Sequence, residues 1–315
     1  MRFGAVFPTT EIGNDPIAVR DYAQAAEALG YVRLTAYDHV LGVDHADREP
    51  ALTGRPYTQH DRFHEPLVLF GFLAGHTTRI ELASGVLILP QRQAALVAKQ
   101  AAEVDLLSGG RLVLGVGTGW NHVEYTSLGM SFGARARRFD DQIEVLRALW
   151  GQELVDHDSA FHRIERAGIA PRPGRQIPVW FGGSAEAALV RSARVGDGHI
   201  FSRSTDDDLA AAARLGELLA EHGRHRSPFG MDMLVDLDQG PDAWHELSGR
   251  WEEVGGSLMS IRSMATGSAM AIGSVAAHDP GPDHHIAALE QFMGEMVAAN
   301  RGPNGSRDGA GGCDG

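Results

Sequence analysis

Residues 94–121 read AALVAKQAAEVDLLSGGRLVLGVGTGWN, one complete helix–turn–strand unit. The helical pattern runs over 94–107 and stops at Ser108-Gly109-Gly110, where glycine ends a helix without steric cost. The short apolar run 111–116 then reads as a strand, with a glycine-rich loop at its carboxyl end. The same unit recurs in both directions. Strands are expected at 3–8, 31–37 and 79–89 before it, with helices at 16–29 and 65–76 between them. After it come a helix at 135–150 and strands at 177–181, 199–202, 229–237 and 257–263. Their helices are expected at 184–195, from the cap Ser204-Thr205-Asp206, at 241–254 and at 283–299. The stretch 151–175 is too long and polar for a simple connection and reads as a small excursion such as a hairpin. Eight strand–helix alternations point to a closed (β/α)8 barrel with loop insertions, one domain over 1–300. The alternative is a doubly wound open sheet. Against it, the stretch Gly115-Val116-Gly117-Thr118-Gly119 comes at the fourth turn rather than the first, and lacks the third glycine of a dinucleotide fingerprint. Residues 301–315 are mostly Gly, Asp, Ser and Asn and are expected to form a disordered tail.

The net charge is −13, from 28 Lys and Arg against 41 Asp and Glu. That balance argues against nucleic acid or an anionic membrane as partner, since both require a basic face. A phosphate-bearing cofactor stays compatible, because a few backbone amides and one arginine can hold it locally. One cysteine, Cys313, leaves no intrachain disulfide, no thiolate metal site and no cysteine nucleophile. The opening Met1-Arg2-Phe3-Gly4-Ala5-Val6 enters a strand directly, without the layout of a signal peptide. No apolar run approaches the roughly 20 residues that span a bilayer. The protein is therefore expected to be cytoplasmic.

A barrel gathers its active site at the carboxyl ends of its strands. There the sequence places Asp38-His39, Ser84-Gly85, Gly117-Thr118-Gly119-Trp120-Asn121 and Gly182-Gly183-Ser184. The last set leads straight into a helix, where paired glycines and free amides suit a phosphate. Taken alone, the set reads more readily as a tight strand-to-helix turn with Ser184 as N-cap. His39 is a candidate proton donor or acceptor, because imidazole ordinarily titrates near neutrality; a lone histidine can also be structural. Trp120 either walls a pocket or packs in the core. The run Asp38, His39, Asp44, His45, Asp47, His60, His64 matches no regular metal-ligand spacing, and the first strand carries no ligand, so no metal is assigned. Arg135, Arg137 and Arg138 form a basic cluster, read either as a solvated helix start paired with Asp140 and Asp141 or as a contact to an anionic group.

Taken in order, these pieces resemble the luciferase-like monooxygenase family, and within it the F420-dependent oxidoreductases. The resemblance is carried by Tyr37-Asp38-His39, the run 82–87, the runs 98–105 and 108–111, and the run 114–121. It continues through Arg138-Phe139, the run 146–150, the run 178–184 and the run 193–198, so that it covers about residues 1–205. It implies a cofactor ring lying across the barrel mouth. Ser84-Gly85 would form a bulge, often with a non-proline cis peptide, that backs the ring. Asp38 and His39 would lie near ring or substrate, with His39 first in line for acid/base work. Gly117, Thr118, Trp120 and Asn121 would border the cofactor, and Gly182-Gly183-Ser184 would hold its phosphate.

The implied cofactor is the deazaflavin coenzyme F420, with FMN as the alternative. The implied activity is hydride transfer between F420 and a small organic substrate. A two-component FMN monooxygenase fed by a separate reductase, and a non-catalytic cofactor binder, stay open. Sugar-phosphate dehydrogenases of the family carry a glutamate just after Gly-Thr-Gly, where this chain has Trp120, which argues against that substrate. His122 and Val123 also depart from the acidic residues many relatives have there. Pairing through the helices that flank the barrel, a homodimer, is the expected assembly.

Overall fold

A computed structural model describes residues 1–46, 52, 57–224, 228–264 and 281–300. The proposed tail at 301–315 and Asp47 lie outside them. The strands are β1 (Arg2–Val6), β2 (Arg33–Ala36), β3 (Glu81–Ser84), β4 (Leu87–Ile88), β5 (Leu112–Gly117), β6 (Val155–Asp158), β7 (Arg163–Ala167), β8 (Val179–Gly182), β9 (Gly198–Phe201), β10 (Gly230–Asp236) and β11 (Leu258–Arg262). The helices are α1 (Pro16–Ala28), α2 (Pro66–Ala74), α3 (Ala94–Leu107), α4 (His122–Ser127), α5 (Arg135–Gly151), α6 (Glu186–Val195), α7 (Asp206–Glu221), α8 (Gly240–Glu253) and α9 (Gly281–Asn300). The parallel sheet runs β3-β2-β1-β11-β10-β9-β8-β5-β4, and β3 also pairs with β5, which closes the barrel with eight staves. The open-sheet alternative is thereby excluded. The excursion at 151–175 is the antiparallel hairpin β6–β7, pinned by one carboxylate. Asp141 on α5 meets His157 at 2.8 Å, His162 at 2.5 Å and the Ser159 hydroxyl at 2.7 Å.

Two expectations are corrected. The third stave is not one run over 79–89 but two short strands, β3 and β4, separated at Gly85-Val86, where the peptide bond is cis. The implied bulge is thus present, with the cis bond following Gly85. A helix, α4, also occupies part of the loop after β5. Asn121 caps it, its carboxamide oxygen accepting from the Val123 and Glu124 amides.

Side chains alternate between the barrel interior and the helical layer, as parallel staves require. The interior holds Val6, Ala83, Val113, Trp180, Ile200 and Leu234, one from each of six staves. Below them, at the amino ends, Arg33 is only 2% exposed, bonds Glu81 and lies 3.9 Å over the Trp180 ring. Asp232 faces it at 3.9 Å and accepts from Ser260. The Ser-Gly-Gly-Arg run serves the same end of the fold. Arg111 donates to the backbone oxygens of Ala74, Thr77, Ile80 and Ser108 and so joins the end of α2 to the start of the third stave.

Burial pushes the Asp232 carboxyl up to about 6, with Arg33 and Ser260 opposing. A raised carboxyl favours the folded state while protonated, so this stabilisation is complete below about pH 4 and lost as the pH rises through about 6. The span corresponds to about 3 kcal/mol. Asp232→Asn should remove that fall, and denaturant titrations at pH 4 and pH 7 read it directly. An equal pH dependence in wild type and variant would refute the assignment.

Candidate functional site at the barrel mouth

The carboxyl end of the barrel is built around the break in its third stave. Gly117 on β5 and Gly182 on β8 face the Val86 side chain; a Cβ on either would meet Val86 methyl carbons at 2.5 and 2.8 Å. Glycine at both positions lets Val86 stand over the inner apolar cluster, against which it packs half-buried. Ser84 and Gly85 therefore shape the mouth through backbone. The Ser84 hydroxyl is fully buried and donates to the Gly115 carbonyl at 2.7 Å, so it does not reach the opening.

On one side stand Asp38 and His39. Asp38 is buried, and both its oxygens are taken: one accepts from the Ile88 amide at 2.8 Å, the other from Arg92 at 2.7 Å. It clamps the end of β2 to β4. His39 is half-buried and its Nδ1 lies 3.4 Å from Glu124 Oε2. Glu124 also accepts from Gln91 at 3.2 Å and from the Val40 and Leu41 amides at 2.6 and 3.1 Å. Burial alone would raise its carboxyl. The hydrogen bond and charge of His39, with the two amides, outweigh burial and hold it below the usual range. With Nδ1–H turned to this carboxylate, His39 keeps Nε2 as its free ring atom. The ring stacks on Tyr57 with centroids 3.8 Å apart, and Phe63 and Trp120 close the aromatic wall at 5.0 and 6.5 Å. Trp120 is 37% exposed and thus walls the opening. Asn121 is buried and donates to Tyr57 Oη at 2.9 Å, which makes it a brace for the wall. Thr118 accepts, at its carbonyl, the Tyr125 hydroxyl at 2.5 Å.

On the other side lies the Gly182-Gly183-Ser184 turn. Ser184 is not the N-cap of α6: that place falls to Ala185, without a side-chain hydrogen bond. Gly183 has φ +106°, which L side chains rarely adopt, and it swings the chain outward before the helix begins. The Ser184 hydroxyl instead accepts from Arg203 at 2.7 Å. The His199 ring, fully buried and pushed down to about 4 by burial, sits 2.9 Å from the Gly183 carbonyl and holds the turn as a neutral donor.

The basic cluster does not pair with its own helix. Asp140 binds Arg191 and Arg194, and Asp141 belongs to the hairpin. Arg135 stacks 3.8 Å over Phe132, and Arg138 donates to the Arg92 carbonyl at 3.2 Å. Arg138 Nε is buried with no partner, and burial draws the guanidinium below its ordinary range. Among the described residues, no carboxylate forms an ion pair with Arg135, Arg137 or Arg138. A desolvated cation without an anion is costly unless a ligand supplies one.

Reasoning from sequence did not single out Glu124, Tyr57, Arg92 or Arg203. Only the sequence's helical spacing from Asn121 to Glu124 hinted that these two share one turn. The scattered histidines at 45 and 64 do not converge. His45 bonds the Tyr57 carbonyl at 2.7 Å and His64 packs edge-on against Phe7. Among the described residues, no group of three metal-ligating side chains is assembled, and no helix is long and apolar enough to cross a membrane.

Comparison with known proteins places this geometry in context. The model of the luciferase-like monooxygenase family matches residues 1–237. An uncharacterized protein of Mycobacterium tuberculosis is 36% identical over 220 residues, 69% of this chain and 75% of the relative. The F420-dependent glucose-6-phosphate dehydrogenase of Microbacterium testaceum is 28% identical over 251 residues, 77% of this chain and 69% of that enzyme. Among solved structures, the monooxygenase RslO1 of Streptomyces bottropensis superimposes with a TM-score of 0.75 at 16% identity, covering 95% of this chain and all of that one. With three-quarters of its length matched by the family model and a closed eight-stave parallel barrel, the chain belongs to the luciferase-like monooxygenase family.

Proposed function

We propose that this protein is an F420-dependent oxidoreductase that exchanges a hydride with a small organic substrate at the barrel mouth. The observation that carries the reading is Arg138 in a strongly acidic chain: its Nε is buried without a partner and it forms no ion pair among the described residues, and its neighbour Phe139 packs on Phe181, just before the Gly182–Gly183 turn. Such a cation suits the phosphate of a cofactor whose ring rests on Val86. Gly117 and Gly182 leave room for that seat, and Thr118 and Trp120 border it. F420 is favoured over FMN by the Ser-Gly-Gly-Arg, Gly-Thr-Gly-Trp-Asn and Trp-Phe-Gly-Gly runs and by the F420-dependent relative. The cofactor supplies the hydride chemistry. The protein's own groups orient and exclude water, and His39 Nε2, held by Glu124 at the other ring nitrogen, moves a proton. Asp38 positions His39 through the Arg92 clamp.

Assembly as a homodimer is part of the same reading. Its support is an apolar surface on adjoining helices, with Ile17 55%, Val68 68% and Leu96 50% exposed.

Three outcomes are expected. Titration with oxidised F420 and separately with FMN, followed by fluorescence, should give tight F420 binding that Arg138→Gln weakens by about 10- to 100-fold. Tight binding of FMN alone would point instead to a monooxygenase supplied by a separate reductase, and binding of neither would refute the site. His39→Ala should reduce turnover by about 10²- to 10⁴-fold while cofactor affinity is kept; unchanged turnover removes His39 from the mechanism. Light scattering should report a dimer that Val68→Glu dissociates, and a monomeric wild type would refute the pairing.

A further inference from the structure

Tyr37 stands apart from the groups assigned to cofactor and proton transfer. It follows β2 and, like Val86, packs half-buried on the inner apolar cluster. Its hydroxyl accepts from Arg262, the last residue of β11, at 3.2 Å. Arg262 is itself held by a short ion pair to Asp236, the last residue of β10, and it reaches the Ser202 carbonyl at 3.4 Å. The three side chains come from three staves and meet at one level, since Asp236 and Arg262 are direct register partners.

Two consequences follow from this arrangement. Arg262 has only donors, so the Tyr37 oxygen is the acceptor in their bond, and the phenol's own O–H is left to donate elsewhere. Among the described residues no protein acceptor is bonded to it. Burial raises the phenol above its ordinary range, with Arg262 opposing, so the proton stays in place at neutral pH. The surroundings define what could receive that hydrogen bond. The inner cluster on which Tyr37 packs is apolar throughout. The Arg262 charge is balanced by Asp236, which favours a neutral acceptor over a carboxylate.

We propose that the Tyr37 hydroxyl is the donor that receives the carbonyl oxygen of a small, largely apolar substrate, with Arg262 as its positioning residue. The inference rests on the mouth being the reaction site, as in the proposed function. Tyr37 gives a hydrogen bond and stays protonated, and so orients the substrate without exchanging a proton with it.

The test uses the full chain and 2-cyclohexen-1-one as probe. Cofactor affinity is measured first, on wild type and Tyr37→Phe, and should agree within about twofold, since the variant loses one oxygen outside the phosphate rim. A wild type that binds neither F420 nor FMN overturns the proposed function and this inference with it. The probe is then titrated into the protein loaded with oxidised cofactor, following cofactor absorbance, and oxidation of the reduced cofactor by the probe is timed separately. Wild type should show saturable binding that Tyr37→Phe weakens by about tenfold or more, the scale of one lost hydrogen bond to a buried partner. Arg262→Met should fall between the two, Arg262→Lys should recover part of the loss, and the double variant should be no worse than Tyr37→Phe alone. If wild type binds cofactor but does not respond to the probe, or if Tyr37→Phe responds as wild type does, the inference is overturned while the proposed function stands. Additive losses in the double variant would overturn the positioning role of Arg262.

Discussion

The mouth of this barrel depends on the ion pair between Asp38 and Arg92. Asp38 lies two residues past β2, and its second oxygen holds the Ile88 amide of β4. Arg92 adds Glu65, the cap of α2, at 2.9 Å, while its carbonyl receives Arg138 and Gln142 from α5. Two staves and two helices are thereby tied at one buried point. Removing one partner of such a pair leaves an uncompensated buried charge and costs about 3–5 kcal/mol. The place of His39, one residue on, and of Arg138, one bond away, both follow from this clamp.

From that point the mouth divides by chemistry. One rim carries His39, its carboxylate partner and an aromatic wall of Tyr57, Phe63 and Trp120. The opposite rim carries the Gly183 turn and Arg203, and the cations at the start of α5 lie between, with Arg138 bonded to the Arg92 carbonyl. Between them the floor is apolar apart from Tyr37 and the Arg262–Asp236 pair behind it. The proposed cofactor and substrate, an anionic tail with a flat body and a small apolar partner, would each find their requirements at different places around the mouth. In a low-dielectric cleft these charges act more strongly than they would at the surface. The overall charge of −13 makes a cation without an ion-pair partner at the mouth stand out.

The helix at 94–107 was legible to the residue, because its glycine stop and apolar spacing are local signals. So were the alternation of strands and helices and the hairpin at 151–175. The break in the third stave was implied only by resemblance to a family. The run at 79–89 is apolar after Glu81 apart from Ser84-Gly85, and that pair by itself does not mark where pairing passes from β2 to β5 alone. Ser184 looked like a cap because serine before a helix usually is one. In the folded chain Arg203 claims its hydroxyl, and the helix begins two residues later.

What the sequence by itself determined is the eight-fold alternation, the glycines at strand ends and a few of the polar residues at the mouth, Asp38 and His39 first among them. These are properties of local periodicity and of backbone freedom, which neighbours along the chain settle. What only the tertiary structure decided is the role of each of those residues. Asp38 proved to be a clamp because Arg92, 54 positions away, reaches it. Glu124 became the partner of His39 across 85 positions, and Tyr37 met Arg262 across 225. Barrel closure brings such pairs together, and hydrogen bonds and desolvation act through distance in space, which separation along the chain does not encode.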